Sequence, residues 1–288
     1  MPHAIEVLKS QQLEWAGATG REPDARGYVS SLEANLFRPL SSAARAEFDK
    51  GKGGELSAEG GAPSKMHALH SSSALVCNVF DYWRGVDDGV IGRALGVRES
   101  ITEVRLEAEL SSGMRGTKPT LDLLLRGSGQ QSWGVESKFS EPFAHSRPKE
   151  PFRLSYFTPK EGRWDARGLP MCQELAEQLR RSDVHFDYVD APQLLKHALG
   201  LRDPSVNGQL ILLWYRVDDV ECAALEGEID LFARSVDESL GFRSLTYQEV
   251  FARIAEEAAG HSGHRPYLEY LHSRYFPGID IGTQGAQS

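Results

Sequence analysis

The sequence predicts an α/β (α+β) fold in which a mixed β-sheet is flanked by helices, and three observations support this. Apolar residues recur at helical spacing in Lys65–Trp83, which indicates an amphipathic helix. The period then changes to two in Ile101–Leu110, as in a half-buried strand. Gln209–Val217 is nearly all apolar, which is typical of a central strand that is covered on both faces.

Local signals predict the remaining elements of the first half. Ser41 is expected to cap a helix that runs through Phe48, and a short helix is expected at Val90–Leu95. Thr120–Leu125 and Trp133–Phe139 are predicted strands on either side of a Gly-rich turn, which indicates a hairpin.

The second half begins with residues 140–170, which contain five prolines and are expected to form an irregular insertion, not a packed element. Helices and one short edge strand are predicted after it. The helices are expected at Met171–Arg181, Ala191–Leu199, Leu225–Leu240, Tyr247–Ala258 (capped by Thr246) and Tyr267–Tyr275, and the strand at Phe242–Leu245. The expected organisation is a helical N-terminal extension with a Gly-rich loop at 1–63, one domain at 64–281, and a frayed tail at 282–288.

Composition excludes several classes of protein. The chain has 288 residues, of which 40% are hydrophobic and 25% charged, so wholesale disorder is excluded. No apolar stretch approaches the roughly 20 residues that span a bilayer, and the N-terminus lacks the pattern of a signal peptide. Three widely separated cysteines support neither a zinc knuckle nor a disulfide framework, so we expect a cytoplasmic protein without a membrane anchor.

Charge is distributed unevenly along the chain. The net charge of −9 argues against a protein that coats nucleic acid through bulk charge. Residues 115–167, however, hold ten basic and six acidic residues, a local charge of +4 against −13 for the rest. A DNA-backbone groove is one interpretation, and a solvated loop with aromatic anchors is the other. The candidates are Arg147, Lys149, Arg153, Lys160 and Arg163, with Phe152, Tyr156, Phe157 and Trp164 among them.

The predicted hairpin carries three ionisable residues inside apolar segments. Glu136 and Lys138 are two apart on one strand and therefore project from the same face, while Asp122 lies on the preceding strand. Two neighbouring buried carboxylates cost several kcal/mol unless a cation neutralises them. We therefore expect Asp122 and Glu136 to bind Mg²⁺, with Mn²⁺ as a substitute, and Lys138 to act on a nearby phosphate. The alternative is a structural ion pair on an exposed strand.

The segment PTLDLLLRGSGQQSWGVESKF resembles the core of the PD-(D/E)XK nuclease superfamily, with Asp122, Glu136 and Lys138 matching its signature. HALHSSSALVCNVFDYW, GVESKFSEPF and QLLKHALGL further resemble a bacterial restriction endonuclease branch of that superfamily. The resemblance implies a restriction-endonuclease-like core and metal-dependent cleavage of DNA in defence or DNA processing. Pro119 departs from the signature, because it precedes Asp122 by three residues and is not adjacent to it.

The resemblance also implies a role for one later helix. Nucleases similar to the RecB branch carry a glutamine and, four residues on, a tyrosine beside the metal. Gln193 matches the glutamine, and His197 stands where the tyrosine would be. A spacing of four places both on one helix face, and Gln193 is a candidate hydrogen-bond donor to a phosphate or a carboxylate. A solvated helix face is the alternative.

A third acidic ligand is expected from the first strand or from the loop that precedes the helix at Lys65. Glu107 is the candidate, with Glu109 on the same face as its rival and Glu55 as a further possibility, and a solvent-facing strand edge is the alternative interpretation of Glu107. His67 and His70 are three apart and would share a helix face, as metal ligands or as a polar patch. Ser71, Ser72 and Ser73 are candidates for phosphate contact or for close packing.

Two function classes remain open on the sequence alone. One is a Mg²⁺-dependent deoxyribonuclease of restriction type that hydrolyses phosphodiester bonds, acting on DNA and expected to form a homodimer if it cuts both strands. The other is a catalytically inactive nuclease fold that binds DNA or a protein, which the acidic net charge favours.

Overall fold

A mixed five-stranded sheet forms the centre of the protein in the computed structural model, which describes residues 3–51, 54–58, 63–114, 118–144, 152–158 and 162–281. The strands are β1 (Ile101–Glu109), β2 (Thr120–Gly127), β3 (Ser132–Lys138), β4 (Gly208–Trp214) and β5 (Arg243–Thr246), in that spatial order. β1, β2 and β3 pair antiparallel, whereas β3, β4 and β5 pair parallel. The predicted mixed sheet is confirmed.

Helices cover both faces of this sheet. They are α1 (Ala4–Ala18), α2 (Ser42–Lys50), α3 (Ser72–Val76), α4 (Asp88–Ala94), α5 (Pro170–Arg181), α6 (Ala191–Leu201), α7 (Val220–Arg234), α8 (Tyr247–Ala258) and α9 (Arg265–Arg274). Side chains alternate along β3, and Ser137 contacts Tyr247 of α8 while Glu136 and Lys138 contact α6. α6 and α8 therefore lie on opposite faces. Within the described ranges, no helix combines the length and the apolar character needed to cross a bilayer.

The predicted central strand is confirmed as β4. It lies between β3 and β5, and six of its seven residues are buried. The covering helices on both faces explain why this segment is almost uniformly apolar and does not alternate.

The helix predicted at Lys65–Trp83 is wrong in its first third. Lys65–His67 form only a short 3₁₀ turn, and the chain is extended at Ala68 and again at Ser71. Ser71 then accepts a hydrogen bond from the N–H of Ala74 at 3.2 Å and begins α3, which continues as a π-helical turn at Cys77–Asp81. The apolar spacing concealed this boundary, because a serine N-cap does not interrupt the pattern.

The helix predicted at Leu225–Leu240 is displaced in the structure. α7 begins at Val220 because the Asp219 carboxylate caps it, accepting from the N–H of Glu221 at 3.2 Å. The helix ends at Arg234, and Glu238–Leu240 form a separate 3₁₀ turn. An aspartate cap six residues upstream of the predicted start thus outweighed the apolar periodicity in setting the boundary.

The insertion at residues 140–170 is irregular as predicted, but the prediction that it does not pack is wrong for its described parts. Phe152, Tyr156 and Trp164 are all buried in the main core. The Tyr156 and Trp164 rings stack with their centroids 5.6 Å apart, and Trp164 Nε1 donates to the Leu195 carbonyl of α6 at 2.8 Å. Residues 145–151 and 159–161 lie outside the described residues.

The N-terminal segment packs into the same core as the sheet. That core includes three buried side chains of the segment, which are Leu8 of α1, Leu36 in the connection between α1 and α2, and Phe48 of α2. Ser41 caps α2 as predicted, accepting from the N–H of Ala44 at 3.1 Å. The predicted tail at 282–288 lies outside the described residues.

A reciprocal cap at the start of α8 supports a prediction about stability. Thr246 Oγ1 accepts from the N–H of Glu249, and the Glu249 carboxylate accepts from the N–H of Thr246. We expect Thr246→Ala to lower the free energy of unfolding by about 1 kcal/mol in urea titrations, because the capping oxygen is lost. Thr246→Ser, which keeps that oxygen, is the control and should remain close to wild type.

Candidate active site

Asp122 and Glu136 meet where the pairing of β2 with β3 ends. The last paired residues there are Leu123 and Val135, so Asp122 precedes the pair on one strand and Glu136 follows it on the other. The N–H of Ser137, just beyond this pair, donates to Asp122 Oδ2 at 2.7 Å. The Asp122 side chain is thus held at the gap between the two strands.

Lys138 links β3 to α6. Its ammonium donates to Glu136 Oε1 at 2.6 Å and to Gln193 Oε1 at 2.8 Å. Glu136 and Lys138 therefore share a face, as the two-residue spacing predicts. Gln193 is positioned by the start of α6, where its own N–H donates to the Asp190 carboxylate at 3.0 Å.

His197 lies one helical turn beyond Gln193 and faces the same strand. Its Nε2 is 2.9 Å from Glu136 Oε2, but the approach does not have the geometry of a hydrogen bond. Both ring nitrogens and Glu136 Oε2 are buried without a hydrogen-bond partner in the described structure. Glu136 Oε2 is therefore a buried oxygen that lies within ion-pair distance of His197 but makes no hydrogen bond in the described structure. The sequence singled out His197 only by its spacing from Gln193.

The three central groups differ sharply in protonation. Burial by itself would raise the pKa of Glu136, but Lys138 and His197 hold it at about 2. Burial and the neighbouring Glu136 charge raise the pKa of Asp122 well above its usual range. The pKa of Lys138 is raised because the Glu136 charge outweighs desolvation. The Glu136–Lys138 pair thus stands beside a carboxyl group whose raised pKa is only partly offset by the Lys138 charge and the Ser137 N–H.

Glu107 of β1 lies next to Asp122 and has an unusual backbone conformation. It lies between the Leu106–Leu123 and Ala108–Leu121 pairs, level with Asp122, and has φ +47°. A positive φ in a strand is strained for a residue with a side chain, and such strain is concentrated at functional sites. Burial, Glu55 and Glu136 raise the pKa of Glu107 to about 7.

The two rival carboxylates are engaged elsewhere. Glu109 accepts from Lys118 at 3.2 Å. Glu55 is bound by Lys65 at 3.1 Å and accepts from the Ser73 hydroxyl at 3.0 Å, although its charge still acts on Glu107. Lys65 was not singled out from the sequence, because nothing in its local pattern distinguishes it from a solvated helix residue.

The histidine pair does not form the predicted helix face. His67 ends the short 3₁₀ turn, and His70 lies in the following turn, where its ring contacts Tyr28. Burial lowers the pKa of His70. Ser71 caps α3 and Ser73 bonds Glu55, so both serines have structural partners.

Only part of the predicted basic groove can be located. Arg153 is exposed, and Arg163 donates from Nε to the Ser155 carbonyl at 2.7 Å. The interleaved aromatic residues Phe152, Tyr156 and Trp164 are buried anchors. Arg147, Lys149 and Lys160 lie outside the described residues.

The donor set fits a metal that needs few protein ligands. Across the described ranges, no three His, Cys, Asp or Glu side chains come close enough together to hold an ion. Mg²⁺, however, keeps several waters and is often bound through one or two carboxylates. Glu136, whose Oε2 makes no hydrogen bond, and Asp122, whose pKa burial and the Glu136 charge raise, match that requirement. Asp122 also keeps part of its surface exposed, which leaves room for water.

A cavity of about 640 Å³ lies at the other end of the sheet. Arg126, Gln130, Arg202 and Asn207 are among its lining residues. Ser132, which also lines it, is six residues from Lys138 along β3, or about 20 Å. This cavity therefore contains none of the candidate active-site residues.

The mixed sheet with its flanking helices has the restriction-endonuclease-like fold, which defines the class of this protein. The family described as Restriction Endonuclease associating with ARP matches residues 9–276, and the chain belongs to that family. No curated protein and no solved structure matches the chain.

Proposed function

We propose that the protein is a Mg²⁺-dependent deoxyribonuclease of the PD-(D/E)XK type that hydrolyses phosphodiester bonds in DNA. The observation that carries this proposal is that Glu136, whose Oε2 makes no hydrogen bond, lies beside the Asp122 carboxyl group and the Lys138 ammonium. The restriction endonuclease family supports the substrate class.

Asp122 and Glu136 would hold the Mg²⁺ ion, for which Mn²⁺ is the expected substitute. When bound, the ion lowers the pKa of a coordinated water and offsets charge that develops on the phosphate. Ser137 orients Asp122 through its N–H, and Gln193 holds the Lys138 amine on the face that Glu136 occupies. Lys138 is thus positioned to stabilise the negative charge of the phosphate in the transition state.

Glu107 is proposed as the third acidic group of the site. Its pKa of about 7 shows that the carboxyl resists ionisation beside Glu55 and Glu136, and a nearby cation would favour its charged form. The strained backbone at Glu107 is consistent with a side chain held in place for chemistry.

Incubation of the purified protein with supercoiled plasmid tests the proposal. We expect nicked or linear DNA with Mg²⁺ or Mn²⁺ and none when EDTA is present, because the ion is needed to form the nucleophile. Gel electrophoresis over a time course measures the rate. DNA that stays supercoiled with both metals would contradict the proposal. Equal cleavage in EDTA would show that cleavage does not depend on a metal ion.

A second candidate is a nuclease fold without turnover that binds DNA or a protein. One observation favours it, namely that Lys138 is already bound by both Glu136 and Gln193, as in a stable structural network. Under this alternative, the protein would retard a DNA fragment in a gel without nicking it.

A homodimer, expected if both strands are cut, would appear as twice the 31.9 kDa chain mass in light scattering.

A further inference from the structure

Helix α6 carries a lysine that the proposed chemistry does not use. Lys196 lies three residues after Gln193, about 5 Å along the helix axis. Its side chain is half-buried, and its Nζ lies 5.4 Å from the centre of the Phe152 ring and 6.0 Å from that of Tyr156. These rings belong to the insertion, so Lys196 stands where the insertion meets the helix that borders the candidate active site.

Among the described residues, no carboxylate pairs with the Lys196 ammonium. No ion pair joins Lys196 to any acidic residue in the described part of the chain. The charge of Asp190 acts on Lys196 from a distance, but the Asp190 carboxylate caps α6 and accepts from the N–H of Gln193. Burial and the nearby Arg153 lower its pKa, and the Asp190 charge opposes them. A half-buried cation of this kind is stabilised by an anion that arrives from solution.

More positive charge surrounds the 3₁₀ turn Leu154–Phe157, which contains Tyr156. Arg153 directly precedes this turn, and Arg163 is held against it by the hydrogen bond from its Nε to the Ser155 carbonyl at 2.7 Å. Arg153 is exposed and forms no ion pair among the described residues. These three cations form no ion pair with any described residue, and a surface of like charges attracts a polyanion.

The turn also exposes an apolar side chain. Leu154 begins the 3₁₀ turn Leu154–Phe157 and is 75% exposed. Buried aromatic anchors and the Arg163–Ser155 hydrogen bond hold this turn in place. An exposed leucine beside cations is a combination found in proteins that contact sugars and bases while they bind phosphates.

We propose that Lys196, Arg153 and Leu154 form a DNA-binding surface beside the active site, in which the two cations contact backbone phosphates and the leucine contacts a sugar or a base. This inference rests on the proposed function for its substrate. It assigns the contact to residues that flank the metal site and take no part in holding the ion.

Equilibrium binding to a fluorescent 30-base-pair DNA duplex, measured by anisotropy in EDTA, separates this contact from cleavage. We expect Lys196→Gln to raise the Kd about fivefold at 100 mM salt and to reduce the slope of log K against log salt by about 0.9. Arg153→Gln should act in the same direction. Lys196→Arg, which keeps the charge, should bind like wild type.

Leu154→Ser provides a second, independent readout. It should weaken binding while leaving the salt slope unchanged, because no counterion is released at an apolar contact. Arg234→Gln is the matched control for charge. Arg234 is an exposed arginine at the end of α7 and should leave both Kd and slope at wild-type values.

The outcomes distinguish this inference from the proposed function. Wild-type Kd and slope in both Lys196→Gln and Arg153→Gln would overturn the inference, as would a wild-type protein that does not bind the duplex at low salt. Tight binding that these variants weaken, combined with an uncut plasmid in Mg²⁺ and Mn²⁺, would support the contact and refute the nuclease.

Discussion

Replacing Asp122 with asparagine is expected to reduce metal-dependent DNA cleavage by on the order of 1,000-fold while leaving the fold intact. A bound metal contributes several kcal/mol to the stabilisation of charge in the transition state, and about 1.36 kcal/mol corresponds to tenfold in rate. Asparagine keeps an oxygen that can accept the Ser137 N–H but loses the negative charge. The rate of plasmid nicking in Mg²⁺ measures this loss.

The free energy of unfolding of Asp122→Asn, unlike its cleavage rate, should not fall below that of wild type. Burial and Glu136 raise the pKa of Asp122, so the charged carboxylate is unfavourable in the metal-free fold. Removing that charge should leave the free energy of unfolding equal to or slightly above that of wild type. Thermal unfolding in EDTA would measure it, and a large drop in Tm would show that lost activity reflects misfolding.

Metal binding supplies a readout that does not depend on cleavage. A ligand that binds only the folded state raises its Tm, so Mg²⁺ should stabilise wild type and not the Asp122→Asn protein. Asp230→Asn makes the same chemical change at an exposed position on α7 and should behave like wild type in both assays. Wild-type cleavage by Asp122→Asn, or an equal rise in its Tm, would refute the site.

Arg274→Ala is expected to be the most destabilising of the substitutions considered, at about 4 kcal/mol of unfolding free energy. Arg274 of α9 is 2% exposed and forms no ion pair with a carboxylate in the described parts of the chain. Its guanidinium donates instead to neutral oxygens of Gln12, Asn35, Leu69 and Tyr270. Truncation would leave several buried acceptors unpaired, each costing about 1–3 kcal/mol before relaxation.

The aromatic surroundings of Arg274 add to this cost. Its guanidinium carbon lies 4.2 Å from the centre of the Trp15 ring and 4.6 Å from that of Tyr275. Alanine would leave a void between these rings and remove three cation–π contacts, with Trp15, Tyr270 and Tyr275. Lysine would not repair the loss, because one ammonium cannot reach acceptors arranged around a planar guanidinium.

Urea unfolding of Arg274→Ala measures the effect. Arg265→Ala on the same helix is the control, because Arg265 forms a surface pair with Glu269 and its loss should cost no more than about 1 kcal/mol. Equal free energies of unfolding for the two variants would show that the buried network contributes little. The contacts join α1 and the Asn35 turn to α9, so their loss should loosen the N-terminal segment as well.

Local patterns were sufficient to predict the sheet and most helices. The alternation in β1, the apolar run of β4 and the Thr246 cap each depend on residues close together in sequence. Boundaries set by a single capping side chain were harder to predict. Ser71 and Asp219 began helices at positions that the apolar spacing did not mark, because a cap acts through one hydrogen bond.

The candidate site likewise combines features that the local sequence predicts with features that it does not. The spacing of Glu136 and Lys138 predicted their shared face, since side chains alternate along a strand. The strained φ of Glu107, the closeness of His197 to Glu136 and the engagement of Glu55 by Lys65 left no comparable signal. Each depends on residues distant in sequence, and none changes the local pattern.

The sequence by itself determined the mixed α/β architecture and the strands that carry Asp122, Glu136 and Lys138, because periodicity and spacing are properties of neighbouring residues. The tertiary structure alone decided which helix faces that strand pair, how the insertion packs on it, and which cations form no ion pair with the other described residues. Those features depend on contacts between segments far apart in the chain, as when Trp164 bonds α6 and brings Phe152 against Lys196.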